Sequence, residues 1–164
     1  MEGRVIRAAA REDLPALAAL KAQYMRACYS GLAQAETLNC ICTENYAAEF
    51  AEWMEHKDTA IDVLLTDDTS EAYVVFGRDA EGMGCIFEAR TIRPDDTEGH
   101  HMLLDRVIDQ LRAMGCSAVR AWLLRNNYRK RFFYEGYGFR VDGERRLDRH
   151  AEECFEMVQY VYSL

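Results

Sequence analysis

Side chains that could do chemistry are concentrated in one segment, from Asn127 to Phe139. Tyr134 has a phenol whose ordinary pKa, near ~10, leaves it protonated at neutral pH and able to supply a proton to an anion of similar basicity. It could equally be a core aromatic, because the neighbouring Phe and Tyr side chains compete for the same core. Asn127 is among the best helix N-caps, and the basic run after it suits either phosphate contacts or a solvated helix face.

A second candidate lies in a predicted strand six residues before Pro94. Glu88 could act as a general base, because a carboxylate can take a proton from an attacking group. Strict strand alternation puts Glu88 on the same side as Ile86 and Ile92, so it could instead be a partly buried carboxylate paired with Arg90. The sequence leaves both roles open.

The loop between this strand and the next predicted helix is acidic, and it contains the three carboxylates Asp95, Asp96 and Glu98. Such residues can cap a helix themselves and would repel an anion placed there. Unit charges 4 Å apart interact by roughly 1 kcal/mol in water and roughly 4 kcal/mol at an effective dielectric near 20. The adjacent side chains of His100 and His101 point about 100° apart on a helix, so they do not form a metal clip. His100 could donate to a phosphate, or it could simply face solvent.

The elements that must position these residues follow from hydrophobic periodicity. We expect one domain over residues 1–164 with strands at 5–8, 61–66, 72–77, 84–92, 118–124, 139–141 and 155–162, and helices at 13–31, 43–57, 104–115 and 128–137. The strand, helix and strand between 84 and 124 predict two parallel strands joined by a crossover helix. The fold class is therefore α/β (α+β): a mixed, mostly antiparallel central sheet with helices on both faces.

The segment from Asn127 to Phe139 resembles the late core motif of the GCN5-related N-acetyltransferase (GNAT) family. An Asn at the end of a strand is followed by a helical turn, then Phe133-Tyr134-Glu135, and then Gly138-Phe139 at the next strand. The order of the predicted elements is similar to that fold over essentially the full length. The resemblance implies that acetyl-CoA, as co-substrate, lies between two splayed parallel strands. It also implies direct acetyl transfer to a primary amine of a small molecule or peptide.

Individual roles follow from the same resemblance. Tyr134 stands where many family members place the acid that protonates the departing thiolate. Glu88 lies where several carry a base, with water as the alternative. Asn127 matches a residue that contacts the pantetheine or phosphate region. The other residues expected to contact the cofactor are Ile92 (through its amide), Arg93, Gly99, His100 and Lys130.

The phosphate loop departs from the family pattern Arg/Gln-x-x-Gly-x-Gly/Ala, in which small residues let backbone N–H groups surround a diphosphate. Only Gly99 is retained, and the loop from Pro94 is about three residues short of that cradle. An alternative hypothesis is therefore a non-catalytic ligand-binding or protein-interaction module of the same fold, with weakened or lost CoA binding.

Composition excludes other classes. The formal net charge of −8 argues against a nucleic-acid partner and mildly favours a cationic substrate. Without a long apolar run, we expect a cytoplasmic location and no membrane association; a homodimer is left open.

The six cysteines are expected to be reduced core residues, and the Cys40-Ile41-Cys42 pair lacks a partner pair at zinc spacing. The segments 29–44 and 147–153, which shape acceptor pockets in this family, contain acidic residues that would suit an amine: Glu36, Glu44, Asp148, Glu152 and Glu153.

Overall fold

The computed structural model describes residues 3–164. Seven strands form one sheet in the order β1-β2-β3-β4-β5-β7-β6, and every neighbouring pair is antiparallel except β4 and β5. This confirms the predicted mixed sheet with one parallel crossover. The strands are β1 Arg4–Ala8, β2 Thr59–Thr66, β3 Thr69–Arg78, β4 Gly84–Thr91, β5 Ala118–Leu124, β6 Arg140–His150 and β7 Glu153–Ser163.

Helices cover both faces of the sheet, as predicted. They are α1 Leu14–Tyr29, α2 Ala35–Asn39, α3 Thr43–Glu55, α4 Thr97–Ala113 and α5 Tyr128–Tyr137. On one face, Leu17 of α1 and Phe50 of α3 pack with Tyr73 of β3. On the other face, α4 and α5 contribute Val107 and Tyr134 to the larger core cluster. Because both faces are covered, the central strands β2 and β3 are buried continuously rather than on alternate residues.

Three elements differ from the prediction. Helix α4 begins at Thr97, seven residues before the expected 104. Strand β6 extends from Arg140 to His150, well beyond the expected 139–141. It is an edge strand that is exposed along nearly its whole length, so its charged sequence has no apolar alternation to reveal it. The short helix α2 was missed, and part of segment 147–153 belongs to β6 rather than to a loop.

The cysteines are less buried than expected. All six are free thiols, but only Cys116 is buried, and Cys40 and Cys154 are exposed. Within residues 3–164, no helix is long and apolar enough to cross a membrane. In the same range, no three His, Cys, Asp or Glu side chains are grouped so that they could hold a metal ion.

Candidate active site

The parallel strands β4 and β5 pair only near their beginnings, where Gly84–Ile86 lies beside Val119–Ala121. Farther along, β4 remains paired with β3 as far as Thr91, and β5 remains paired with β7 as far as Leu124. The two strands therefore separate. The gap opens into a cavity of about 770 Å³ bordered by α1, β3, β4, the first two turns of α4 and most of α5.

Helix α5 brings three predicted site residues to the cavity. Asn127, Lys130 and Tyr134 are spaced by three and four residues, so they lie on one side of the helix. The Oδ1 atom of Asn127 accepts a hydrogen bond from the Lys130 backbone N–H at 3.2 Å, which confirms the predicted cap. Its Nδ2 donates to the Tyr24 hydroxyl of α1 at 3.1 Å. One side chain thus begins α5 and ties it to α1, while a cofactor contact by Asn127 stays a prediction.

Tyr134 is at once a core aromatic and a cavity residue. Its ring is 4.9 Å from that of Phe139 and 5.8 Å from that of Phe133, in edge-on contacts. Burial raises the pKa of its phenol well above the ordinary value, and the positive charge of Arg90 opposes this only in part. The hydroxyl therefore keeps its proton at neutral pH, as the predicted acid role requires.

Lys130 reaches across the gap from α5 to β4. Its Nζ donates to the backbone oxygen of Ala89 at 2.7 Å, beyond the point where the two strands part, and lies 5.5 Å from the centre of the Tyr24 ring. Burial, followed by the positive charge of Arg90, lowers the pKa of this amine to about 7. A far larger share of this amine is therefore uncharged at neutral pH than for an ordinary lysine.

A β-bulge changes the orientation of Glu88. Ile86 pairs with Phe76 and Glu88 pairs with Val75, so Phe87 is the extra residue. Ile86 consequently packs in the core beneath α4, while Glu88 contacts α1 on the opposite face. The prediction that Glu88 and Ile86 share a side was wrong, because strict alternation does not allow for the bulge.

Glu88 is held in a network of charges. Lys21 donates to Glu88 at 2.5 Å and to Glu49 at 2.8 Å, and the Tyr73 hydroxyl donates to Glu88 at 2.9 Å. Burial by itself would raise the pKa of Glu88, but the charges of Arg90 and Lys21 and the two hydrogen bonds hold it below the usual range. A carboxylate with a low pKa is a weak proton acceptor. The contacts therefore favour the ion-paired alternative, and the base role stays a prediction.

The first turn of α4 is capped by its own chain. Asp96 accepts from the Gly99 N–H at 3.0 Å and from the Arg4 guanidinium at 3.0 Å, and the Thr97 N–H donates to the Asp95 carbonyl at 3.0 Å. Carboxylate capping is confirmed for Asp96. A side chain at Gly99 would collide with the Asp96 carboxylate, which explains why glycine is needed there. The amide of Gly99, a predicted cofactor contact, is therefore already engaged.

Two further predicted contacts are directed to β3. The Ile92 amide donates to the Glu71 carbonyl at 3.0 Å, and the Arg93 guanidinium donates to the Glu71 carboxylate at 3.0 Å. The Ile92 side chain borders the cavity, but its amide does not face the gap, contrary to the prediction. In an antiparallel ladder, residues alternate between pairing with one neighbour and facing away from it. The backbone groups of β4 that face the gap are therefore those of Ala89 and Thr91.

His100 borders the cavity from α4 and is half-buried, so the solvent-facing alternative was wrong. Its ring lies edge-on to Phe133 at 5.7 Å. Burial lowers its pKa, which leaves the imidazole neutral at pH 7. Among residues 3–164, only His100 Nε2 and Arg90 Nε are buried side-chain nitrogen or oxygen atoms without a hydrogen-bond partner. Both belong to residues that border this cavity, and donation by His100 to a phosphate stays a prediction.

No protein-family model and no curated protein sequence matches the chain. Solved structures do match it, over 98% of its length. PaiA N-acetyltransferase from Thermoplasma acidophilum, in complex with coenzyme A, aligns with a TM-score of 0.76 and 18% identity over 99% of its own chain. A ribosomal-protein-alanine N-acetyltransferase from Brucella melitensis aligns with a TM-score of 0.75 and 17% identity over 99% of its own chain. An acetyltransferase of the GNAT family from Streptococcus pneumoniae aligns with a TM-score of 0.70 and 13% identity over 99% of its own chain.

The chain has the GNAT fold. In this GNAT-fold cavity, the charged side chains on the wall are all basic. Arg90, Arg129 and Lys130 border it, and among the described residues no Asp or Glu does. Arg129 is ion-paired with Asp95 at 2.9 Å and Arg90 lies 4.0 Å from Glu88, so these two charges are partly compensated, but the wall itself is basic while the formal net charge of the whole chain is −8. Such a wall attracts an anionic ligand. The cationic substrate favoured by the net charge therefore finds no matching carboxylate on the cavity wall.

The two segments expected to shape an acceptor pocket do meet in this GNAT fold. Glu153 accepts hydrogen bonds from the Gln34 N–H, at 2.9 Å, and from the Thr37 hydroxyl. The Tyr29 hydroxyl lies 3.4 Å from His150 Nε2. The Glu153 carboxylate is thus used to join the segments, which reduces its value as a binding group for an amine.

Sequence reasoning missed the contribution of α1 to the cavity. Tyr24 and Cys28 lie in the helix predicted at 13–31, to which no functional role was assigned, yet both border the cavity. The Arg90 guanidinium lies 4.8 Å from the centre of the Tyr24 ring, while Asn127 donates to the Tyr24 hydroxyl. The available signal was the polar tip of Tyr24, because a buried Tyr hydroxyl usually finds a partner.

Proposed function

We propose that this protein is an N-acetyltransferase that transfers an acetyl group from acetyl-CoA to a primary amine of a small molecule or peptide. The observation that carries the proposal is the cavity between the splayed strands, where a protonated Tyr134 lies within a basic wall. A structural neighbour with this fold is in complex with coenzyme A. Another is named a ribosomal-protein-alanine N-acetyltransferase, which makes a peptide amine one candidate acceptor.

The cavity fits the two ends of the cofactor unequally. The gap-facing N–H of Ala89, whose carbonyl is engaged by Lys130, and the gap-facing backbone groups of Thr91 suit the amide-bearing pantetheine arm. The diphosphate has fewer free amides available, because Asp96 engages the start of α4. We therefore assign the phosphates to side chains at the rim, chiefly Arg129 and His101, which also border the cavity. Arg129 is ion-paired with the exposed Asp95, so a phosphate would replace that carboxylate as its partner.

Acetyl-CoA supplies an acetyl thioester, whose carbonyl carbon accepts the amine and whose sulfur departs as a thiolate. The protonated phenol of Tyr134 donates its proton to that thiolate. Asn127 keeps α5 and α1 in register through its bonds to Lys130 and Tyr24, so Tyr134 keeps its place on the cavity wall. With Glu88 ion-paired, water is the base that the structure favours for the incoming amine.

Isothermal titration tests the proposal, with acetyl-CoA, coenzyme A and pantetheine as ligands. We expect acetyl-CoA and coenzyme A to bind, with pantetheine weaker because it lacks the phosphates. A ligand present at 100 times its Kd should also stabilise the protein by about 2.7 kcal/mol in thermal denaturation. No heat and no thermal shift at millimolar acetyl-CoA would reject the proposed function.

The second candidate function is a non-catalytic ligand-binding or protein-interaction module. It is favoured by the Asp96 cap, which occupies an amide that a diphosphate would use. Binding of pantetheine or of another anion, with no response to acetyl-CoA, would support this alternative over catalysis.

A further inference from the structure

Lys130 places a primary amine inside the candidate active site. Its Nζ crosses the strand gap to the Ala89 carbonyl at 2.7 Å. On α5 it lies one helical turn before Tyr134, on the same face, and both side chains border the cavity. A thioester that comes within reach of the Tyr134 hydroxyl therefore comes close to this amine.

The other lysines are placed differently. The chain has three: Lys21, Lys57 and Lys130. Lys21 is buried and ion-paired with Glu49 and Glu88. Lys57 is exposed, just after α3. Among the described residues, Lys130 has no ion pair with a carboxylate, and its pKa of about 7 leaves much of it uncharged and nucleophilic at neutral pH.

We infer that Lys130 is a self-acylation site, at which the protein transfers an acyl group from an acyl thioester to its own Nζ. This inference rests on the proposed acyl-thioester chemistry of the cavity. The nitrogen lone pair attacks the thioester carbonyl, a C–N bond forms and the C–S bond breaks. The nitrogen loses one proton and the departing thiolate gains one, through the Tyr134 hydroxyl, so the products are an amide and a free thiol.

Acylation changes the cavity in two ways. It removes the positive charge of Lys130 from the wall, which leaves Arg90 and Arg129 as the charged side chains there. It also places the acyl group in the gap between β4 and β5, because the amide N–H can keep donating to the Ala89 carbonyl. Both changes oppose a second anionic thioester, so acylated protein should bind coenzyme A more weakly.

Intact-mass spectrometry and peptide mapping of the full chain test this inference. The protein is incubated near pH 7 with acetyl-CoA and, separately, with the acetyl thioester of N-acetylcysteamine, a small donor without phosphates. We expect one acetyl group on Lys130, gained on the order of 100-fold faster than on Lys57, because Lys130 has a pKa of about 7 and borders the cavity that holds the donor, whereas Lys57 is exposed and does not border it. Lys130→Arg should abolish the rapid addition, and Lys57→Arg should leave it unchanged.

The rate profile gives a second readout. The Lys130 rate should rise with pH and level off above about pH 8, since the pKa of its amine is about 7. Labelling of Lys57 at an equal rate, or no labelling by either donor, would overturn the inference. Labelling by the small thioester together with no binding of acetyl-CoA would support self-acylation and reject the proposed cofactor. Mapping on the unsubstituted chain makes these outcomes independent of how the variants fold.

Discussion

Replacing Asp96 by Asn removes one negative charge from the start of α4 and keeps a side-chain oxygen for the Gly99 N–H. Asn and Asp are nearly equal as N-caps, so the capping contribution should survive. The ion pair with Arg4 is lost; its two side chains are 24% and 12% exposed, so we assign it about 1 kcal/mol. That cost corresponds to a fall in Tm of roughly 2–4 °C for a domain of this size. Asp96→Ala also loses the cap and should cost about 2 kcal/mol.

The effect on cofactor binding has the opposite sign. If the diphosphate of coenzyme A approaches α4, removing the Asp96 charge relieves a repulsion of about 1–4 kcal/mol at close range. We take the lower part of this range, because Arg4 already offsets some of the charge. Asp96→Asn should therefore bind coenzyme A about tenfold more tightly, while its affinity for pantetheine should be unchanged.

Isothermal titration of both ligands, together with thermal denaturation, measures these effects. Asp109→Asn is the matched control, because it removes the same charge from an exposed position near the other end of α4. The reasoning is refuted if Asp96→Asn changes coenzyme A and pantetheine affinities equally, or if Asp109→Asn gives the same gain.

Three further predictions follow from the site. Tyr134→Phe should lower the rate of acetyl transfer by about 10²–10⁴-fold with little change in cofactor affinity. The control Tyr137→Phe, on the same helix, should leave that rate unchanged. Unchanged turnover of Tyr134→Phe in steady-state assays would remove Tyr134 from the acid role. Lys130→Met should stabilise the protein below about pH 7, because burial of the charged amine is costly while it is protonated. This gain in the free energy of unfolding should shrink as the pH rises from 7 toward 10. Urea unfolding across that range measures it, and no such trend is expected if the amine is not buried. Glu88→Gln should lower the free energy of unfolding by about 3 kcal/mol, because Lys21 stays buried with less compensation for its charge. The stability contributed by Glu88 should be present above pH ~4.3, the pKa of an unfolded Glu, and lost as the pH falls through the lower pKa of Glu88 in the folded protein. A cost below about 1 kcal/mol in urea unfolding would contradict the network.

The sequence predicted the positions of β5 and α5 well, because each has a single strong periodicity and a clear boundary, such as the Asn127 cap. It failed where tertiary structure overrides a local pattern. The Phe87 bulge reverses the side of Glu88 without any glycine or proline to mark it. The direction of the Ile92 amide depends on which strand it pairs with, which no local pattern encodes. Lys130 was predicted to contact the cofactor, but its position across the strand gap, with Nζ on the Ala89 carbonyl, depends on the packing of α5 against β4 and could not be predicted.

The Asp96 cap and the cavity lead to different conclusions about whether the site has been lost. The Asp96 cap is an ordinary, stabilising way to begin a helix and would persist in a protein that binds nothing. The cavity, unlike the cap, does not stabilise the protein when no ligand is bound. Protein interiors are close-packed, and each buried polar atom left without a partner costs about 1–3 kcal/mol. This cavity nevertheless combines a volume of about 770 Å³, a buried amine with a lowered pKa, and the unpartnered nitrogens of Arg90 and His100. A site that no longer bound a ligand would gain stability by filling the space with apolar side chains. The retained costs are therefore best explained by an anionic ligand that offsets them when it binds, which favours a retained ligand-binding site over a vestigial one.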